Sequence, residues 1–233
     1  MRRFISSTIL LLTMLVATPI VAQSNQVVVE LYTSQGCSSC PPADKILSNL
    51  AQRDDVIALA LHVDYWDYIG WKDTYGDPSF TDRQRGYARA AGSRTIYTPQ
   101  MVIGGVTHVV GNKPMDVMDG ISQQRNQTGN VTLALARNGQ KLSITAVSDT
   151  GKNRAMLVQL VRYLPTSSVS ITRGENAGRT IEYTNIVTEW HQIKKWNGAV
   201  PLEMAVNLSG QEPVVVIVQS AGNGPILAAA QLR

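Results

Sequence analysis

Val27-Val28-Val29-Glu30-Leu31-Tyr32-Thr33-Ser34-Gln35-Gly36-Cys37-Ser38-Ser39-Cys40-Pro41-Pro42-Ala43-Asp44 is the stretch that decides how this chain reads. Val27 to Tyr32 is an apolar run that predicts a buried strand. Pro41 and Pro42 suit the first turn of a helix, where a missing N–H costs nothing. Ala43, Ile46, Leu47, Leu50 and Ala51 then follow at helical spacing. Val56 to Val63 predicts a second buried strand, so the order is strand, helix, strand: a βαβ unit with a parallel pair.

Cys37 and Cys40 are the chain's two cysteines, and they sit between that strand and that helix. A C-x-x-C there reads as a dithiol that can open and close. Only a thiolate attacks a disulfide, and the free N–H groups and dipole of a helix start favour the thiolate. Cys37, just before the helix, is the expected exposed nucleophile. Cys40, in the first turn, is the expected resolving thiol, which releases a mixed disulfide by intramolecular attack. As a mere staple the pair would close only a four-residue loop, worth about 2 kcal/mol. Redox or metal chemistry therefore outweighs an inert local disulfide.

Outward from the motif, the N-terminus reads as an export signal. Arg2 and Arg3 form a positive start, Ile9 to Ala17 an apolar core, and Ile20-Val21-Ala22 a cleavage site. The apolar core is shorter than the roughly 20 residues a bilayer span needs, and no later stretch is long and apolar enough. The expected location is therefore periplasmic or secreted. The formal net charge of +4 is too mild to argue for nucleic acid or a membrane surface as a partner.

The two halves differ in texture. Residues 24–127 alternate strand-like and helix-like patterns, with an aromatic-rich insertion at 64–97 and helices expected at Pro78 to Ala91 and Pro114 to Arg125. On the second of these, Met115, Met118 and Ile121 share one face. Asn126 to Asn130 reads as a linker. Residues 130–233 show strand patterns only: Val131, Leu133 and Leu135 alternate, Asn138-Gly139 marks a hairpin turn, and further strands fall at 154–163, 180–190, 200–207, 213–220 and 226–232. That spacing suggests a β-sandwich.

Other residues carry two readings each. Glu30 interrupts an apolar strand; it either relays the proton of Cys40, or it reaches solvent or pairs with a lysine. Thr98-Pro99 reads on its own as an ordinary trans turn, since most X–Pro bonds are trans. His62, Asp64, Tyr65, Trp66 and Asp67 lie at the C-terminal end of a strand, the edge where open α/β sheets bind ligands. Asp64 and Trp66 would shape a substrate groove there, or the cluster packs the insertion onto the sheet. Two thiolates also suit Cu(I) or part of a zinc site, with His62 or His108 to complete the shell, though neither shows a metal-ligand spacing to the cysteines. The polar loop Arg173 to Arg179 either folds over the dithiol or is a solvated loop with an internal Arg–Glu pair; the second is the commoner case.

Taken together, Glu30 to Asp44, His62-Val63-Asp64-Tyr65-Trp66-Asp67, Gly70-Trp71, Tyr97-Thr98-Pro99-Gln100 and the Arg173–Arg179 loop resemble a family of exported bacterial thioredoxin-like proteins, the domain of unknown function 1223. The resemblance covers nearly the whole chain after the leader. It implies a thioredoxin-like N-terminal domain. It also implies a cis-proline facing the C-x-x-C, at Pro99, that holds substrate backbone with Thr98, and a buried acid assisting the second cysteine, for which Glu30 is the nearest match. The chain departs from the thioredoxin pattern in having no Trp before Cys37 and Ser-Ser where Gly-Pro is usual.

The expectation is thus an α/β thioredoxin-like N-terminal domain followed by an all-β, sandwich-like C-terminal domain, after a signal peptide at 1–22. Its expected function is thiol–disulfide exchange through Cys37 and Cys40, with Pro99 and Glu30 assisting and Thr98, Asp64 and Trp66 contacting substrate. No cofactor or bound metal is implied. The expected partners are a protein thiol or disulfide substrate and a redox partner that recharges the pair. The rival readings are a copper or zinc carrier using the same cysteines, and a binding scaffold with an inert disulfide.

Overall fold

The structure is a computed structural model that describes residues 20–23, 26–125, 127, 130–149 and 154–233. The expected leader residues 1–19 and most of the expected linker lie outside the described residues.

In chain order the elements are β1 (Ile20–Gln23), β2 (Val27–Thr33), α1 (Pro41–Leu50), β3 (Val56–His62), a 3-10 turn at Asp67–Ile69, α2 (Pro78–Ala90), β4 (Gln100–Ile103), β5 (Thr107–Val110), α3 (Pro114–Arg125), β6 (Val131–Asn138), β7 (Lys141–Ser148), β8 (Met156–Ser170), β9 (Thr180–Trp196), β10 (Leu202–Asn207), β11 (Val214–Ser220) and β12 (Ile226–Leu232). The proposed cleavage residues Ile20 to Ala22 pair antiparallel with β6 as part of β1.

β2 and β3 pair in parallel, from Val27↔Val56 to Thr33↔His62, with α1 between them in sequence. β4 pairs antiparallel with β2, placing Gln100 opposite Tyr32. The residues of β2 divide by parity, as strand geometry requires. Val27, Val29 and Leu31 pack with Ala43, Leu47 and Leu50 of α1 and with Val117 and Ile121 of α3. Val28 and Tyr32 face the other way, toward Phe80 and Tyr87 of α2.

The expected division into an α/β thioredoxin-like domain followed by a separate all-β domain is not what the chain builds. One mixed sheet of eight strands, in the order β12-β11-β8-β9-β3-β2-β4-β5, takes strands from both halves. Among the described residues strands outnumber helices twelve to three. The join is the parallel bridge of β3 to β9 at Ala60↔Ile186, reinforced by Asn185, whose side-chain amide donates to the Ala58 carbonyl at 2.8 Å. α2 covers the joint, because its core continues through Val161, Tyr163, Val187, Val215 and Ile217. A second, four-stranded sheet, β1-β6-β7-β10, packs its apolar face on Met156, Val158, Val214, Val216 and Ala230 of the large sheet.

Two local expectations are also revised. β8 and β9 run on to Ser170 and Trp196, forming a long hairpin whose tip is the 173–179 loop. On α3 the buried side is Val117, Gly120 and Ile121, while Met115 and Met118 are exposed. Gly120 explains the rotation: a Cβ there would lie 2.7 Å from Ile103 Cδ1, so the helix seats its backbone on β4 instead of the methionine side.

Candidate functional site

Cys37 and Cys40 form a disulfide, with their Cα atoms 5.4 Å apart. Cys40 is the N-cap of α1, and its carbonyl accepts from Ala43 N–H at 2.8 Å and Asp44 N–H at 3.1 Å. Among the described residues no side chain caps this helix start; Pro41 and Pro42 carry no N–H, so it is the helix dipole that the motif meets there. Cys37 Sγ lies 3.4 Å from Ser39 Oγ. Of the motif, Ser38 and Ser39 reach solvent, whereas Cys37 is 1% and Cys40 0% exposed, so the expectation of an exposed Cys37 is not met.

The aromatic insertion and the hairpin tip provide that cover. Gly36 is in close contact with the insertion; a Cβ on it would meet Trp66 Cβ at 3.1 Å and Ile69 Cδ1 at 3.3 Å. Gln35 is held on three sides, its N–H by Asp73 Oδ2 (2.7 Å), its side-chain amide on Thr74 Oγ1 (2.8 Å) and its Oε1 by Trp71 Nε1–H (2.8 Å). From the hairpin tip, the buried Asn176 amide donates to Gln35 O at 2.9 Å and Cys37 O at 3.0 Å, and Glu175 Oε2 accepts from Ser38 N–H at 3.4 Å. The 173–179 loop therefore does fold over the motif. Arg179 in that loop bonds to Asn176 Oδ1 (2.9 Å).

The Thr98–Pro99 peptide bond is cis. Pro99 immediately precedes β4, whose Gln100 sits opposite Tyr32, so it lies at the same end of the sheet as the C-x-x-C loop. Pro99 and Ala43 of α1 both flank Gly111, whose added Cβ would meet each at 3.2–3.3 Å. Thr98 Oγ1 accepts from Trp66 Nε1–H at 2.7 Å, which brings two of the expected substrate residues together. Asp64 is turned to α2 instead, accepting from Thr81 Oγ1 at 2.5 Å. Tyr68, stacked on Trp66, is 80% exposed.

Glu30 lies on the α2 face of β2, away from α1. Arg83 grips it through Nε (2.7 Å) and Nη2 (2.9 Å), and the hydroxyls of Tyr87 (2.6 Å) and Tyr32 (3.0 Å) also donate to it. The Arg83 guanidinium is stacked 3.8 Å from the Trp190 ring centroid. Burial by itself would lower the affinity of Arg83 for its proton, but Glu30 beside it drives its pKa upward. Burial and the Glu30 charge both raise the phenol of Tyr32; the phenol of Tyr87 is also raised, chiefly by burial, against the opposing pull of Arg83. Glu30 is thus the centre of a closed structural network joining β2 to α2.

A different acid lies under the motif. Asp44, in the first turn of α1, is buried; Thr33 Oγ1 donates to its Oδ1 at 2.8 Å, and its Oδ2 has no hydrogen-bond partner among the described residues. Burial pushes its carboxyl up to about 7, against the pull of His62 and the Thr33 hydrogen bond. His62 is fully buried, with Nδ1 2.8 Å from Asp73 Oδ2 and Nε2 likewise without a hydrogen-bond partner among the described residues. Burial would raise the Asp73 carboxyl, but His62 and the N–H groups of Gln35 and Tyr75 hold it below the usual carboxylate value. Sequence reading missed Asp44 and Asp73. The signal available for Asp44 was its place four residues after Cys40, on the helix face carrying Ala43 and Leu47. His108, the other histidine weighed as a ligand, packs edge-on to Tyr87 on the far side of the sheet from α1. Among the described residues no three His, Cys, Asp or Glu side chains gather into a metal-holding group.

The model of a family described as protein of unknown function (DUF1223) matches residues 28–219. The crystal structure of protein AGR_C_4864 from Agrobacterium tumefaciens is similar, at 30% identity over 88% of this chain and 93% of that one, with a TM-score of 0.76. HBP35 of Porphyromonas gingivalis shares the fold at 14% identity, over 90% of this chain and 75% of its own, with a TM-score of 0.61. No curated protein matches.

Proposed function

The chain belongs to the family of proteins of unknown function DUF1223, and on that premise we propose that it is an exported thiol–disulfide oxidoreductase working through Cys37 and Cys40. The observation that carries this reading is a two-cysteine disulfide set on an uncapped helix start, at the sheet end that also holds the cis Thr98–Pro99 bond. The likeness to thioredoxin-like proteins enters here through that local chemistry alone. Export rests on the Arg2–Ala22 sequence pattern.

The exchange balances as follows. A substrate thiolate attacks Sγ of Cys37; the S–S bond to Cys40 breaks and its electron pair leaves on Cys40, which takes a proton. A second substrate thiolate then attacks the mixed disulfide at the substrate's sulfur. The substrate is left oxidised to a disulfide, and the Cys37–Cys40 pair is reduced to two thiols. The reverse sequence, begun by the Cys37 thiolate, reduces a substrate disulfide. Pro99 and Thr98 present the substrate backbone beside Cys37, and Trp66 braces Thr98. The proton role goes to Asp44 and not to Glu30. Asp44 lies on the α1 side, is linked by its N–H to the Cys40 carbonyl, and has a carboxyl that changes charge near neutral pH. A recharging redox partner follows from the chemistry, since each turnover inverts the state of the pair.

The test is the redox equilibrium of the purified protein in glutathione or dithiothreitol buffers. The reading expects a midpoint above about −300 mV, within reach of cellular exchange. A midpoint below that value marks a resistant structural bond and overturns it.

A further inference from the structure

We propose that the tip of the β8–β9 hairpin tunes the dithiol: Asn176 clamps the C-x-x-C loop, and Glu175 sets a carboxylate beside Ser38, next to Cys37, where it opposes the Cys37 thiolate. The proposal rests on the oxidoreductase reading for its biological meaning, and it assigns the direction that reading leaves open. The pair is biased toward its disulfide, so its dithiol form acts as an electron donor.

The argument begins with Asn176. It is 1% exposed, and its amide spends its hydrogens on Gln35 O and Cys37 O, 141 and 139 residues away in sequence. Its Oδ1 is satisfied in turn by Arg179. A buried amide with this much of its bonding capacity committed to one loop is held rigidly. Its neighbour Glu175, exposed to solvent, is thereby placed beside the motif, with Oε2 accepting from Ser38 N–H at 3.4 Å. Gly174, at φ +77°, lets the tip pack against the insertion; a Cβ there would lie 3.3 Å from Trp71 Cβ.

The electrostatic consequence follows from what a reactive thiolate needs. The dipole at the start of α1 would stabilise a negative sulfur, as would the N–H groups of the loop around Cys37. Glu175 takes up the N–H of Ser38 and adds a like charge. Reduction of the disulfide consumes two electrons and two protons and gives two thiols, of which Cys37 can shed its proton; a nearby carboxylate raises the energy of that anion and so favours the oxidised pair. The other charged groups around the motif are Asp44 on α1, Asp73 with His62 behind Gln35, and Arg179, whose guanidinium is engaged by Asn176.

The experiment is a thiolate titration of the fully reduced protein, by absorbance near 240 nm, for wild type and Glu175→Gln. Glu203→Gln, on β10 in the other sheet, controls for net charge. Glu175→Gln is expected to lower the apparent thiol pKa by about half a unit, roughly threefold more thiolate at a given pH, with the gap narrowing in 1 M salt. Glutathione equilibria above that pKa should shift in the same direction, to a more oxidising pair. Asn176→Ala should reproduce the shift, and combining it with Glu175→Gln should add nothing. Coincident titrations of wild type and Glu175→Gln, a rise in the variant, or an equal fall in Glu203→Gln would overturn the proposal. The titration needs no substrate, so a shift seen in a protein that exchanges no disulfides leaves the tuning standing and removes the oxidoreductase reading alone.

Discussion

The side-chain amide of Asn176 donates to the backbone carbonyl of Cys37 at 3.0 Å, across 139 residues of sequence. The strand-rich half of the chain therefore reaches into the C-x-x-C motif of the other half. Cys37 is 1% exposed, and this contact holds the hairpin tip against its backbone.

Loosening the contact should open the disulfide. Asn176→Ala removes three hydrogen bonds, two donated to Gln35 O and Cys37 O and one accepted from Arg179. The second-order rate of disulfide reduction by dithiothreitol is expected to rise several-fold, while the same variant loses about 1–3 kcal/mol of stability. An unchanged reduction rate would mean that the loop does not limit access.

Glu30 and Arg83 form a buried pair that is structural on this account. Arg83→Met strands a buried carboxylate and should cost about 3–5 kcal/mol in urea unfolding. The midpoint of the Cys37–Cys40 couple should stay where it is. A large change in that midpoint would return Glu30 to the dithiol chemistry.

Asp44 gives a prediction with a definite sign. Its folded pKa of about 7 lies above the unfolded carboxylate value, so the folded chain binds the proton more tightly. Its contribution to stability is therefore full below pH 4 and falls as pH rises to 7. The difference over that window is up to about 4 kcal/mol. Asp44→Asn should lose this slope and be more stable than wild type above pH 7, as read by urea unfolding at a series of pH values. Parallel pH profiles for the two proteins would contradict the burial argument.

Much of the site was legible because its chemistry is local. Pro41 and Pro42 announce the start of α1, and two cysteines three residues apart announce the dithiol. The β-half strands were legible too, since Leu133, Leu135, Leu142 and Ile144 alternate inward and pack one sheet on the other. What the sequence did not reveal was long-range pairing. The large sheet is continuous because Ala60 meets Ile186 and Asn185 reaches Ala58, and neither alanine nor asparagine advertises such a partner. Glu30 misled for a related reason. A carboxyl next to a redox motif in sequence points, by strand alternation, to the opposite face of the sheet, where Arg83 waits 53 residues on. Asp44 was hidden inside a helix pattern in which acids are normally exposed.

The central claim is that the sulfur of Cys37 takes part in exchange with other proteins and that of Cys40 resolves it. Cys40→Ser, expressed in living cells from the full sequence, tests this most directly. The account predicts covalent adducts that survive non-reducing electrophoresis, disappear on reduction, and are absent from the Cys37→Ser, Cys40→Ser double variant. A Cys40→Ser protein that remains free of adducts, with Cys37 shown to be reduced and alkylatable, would contradict it.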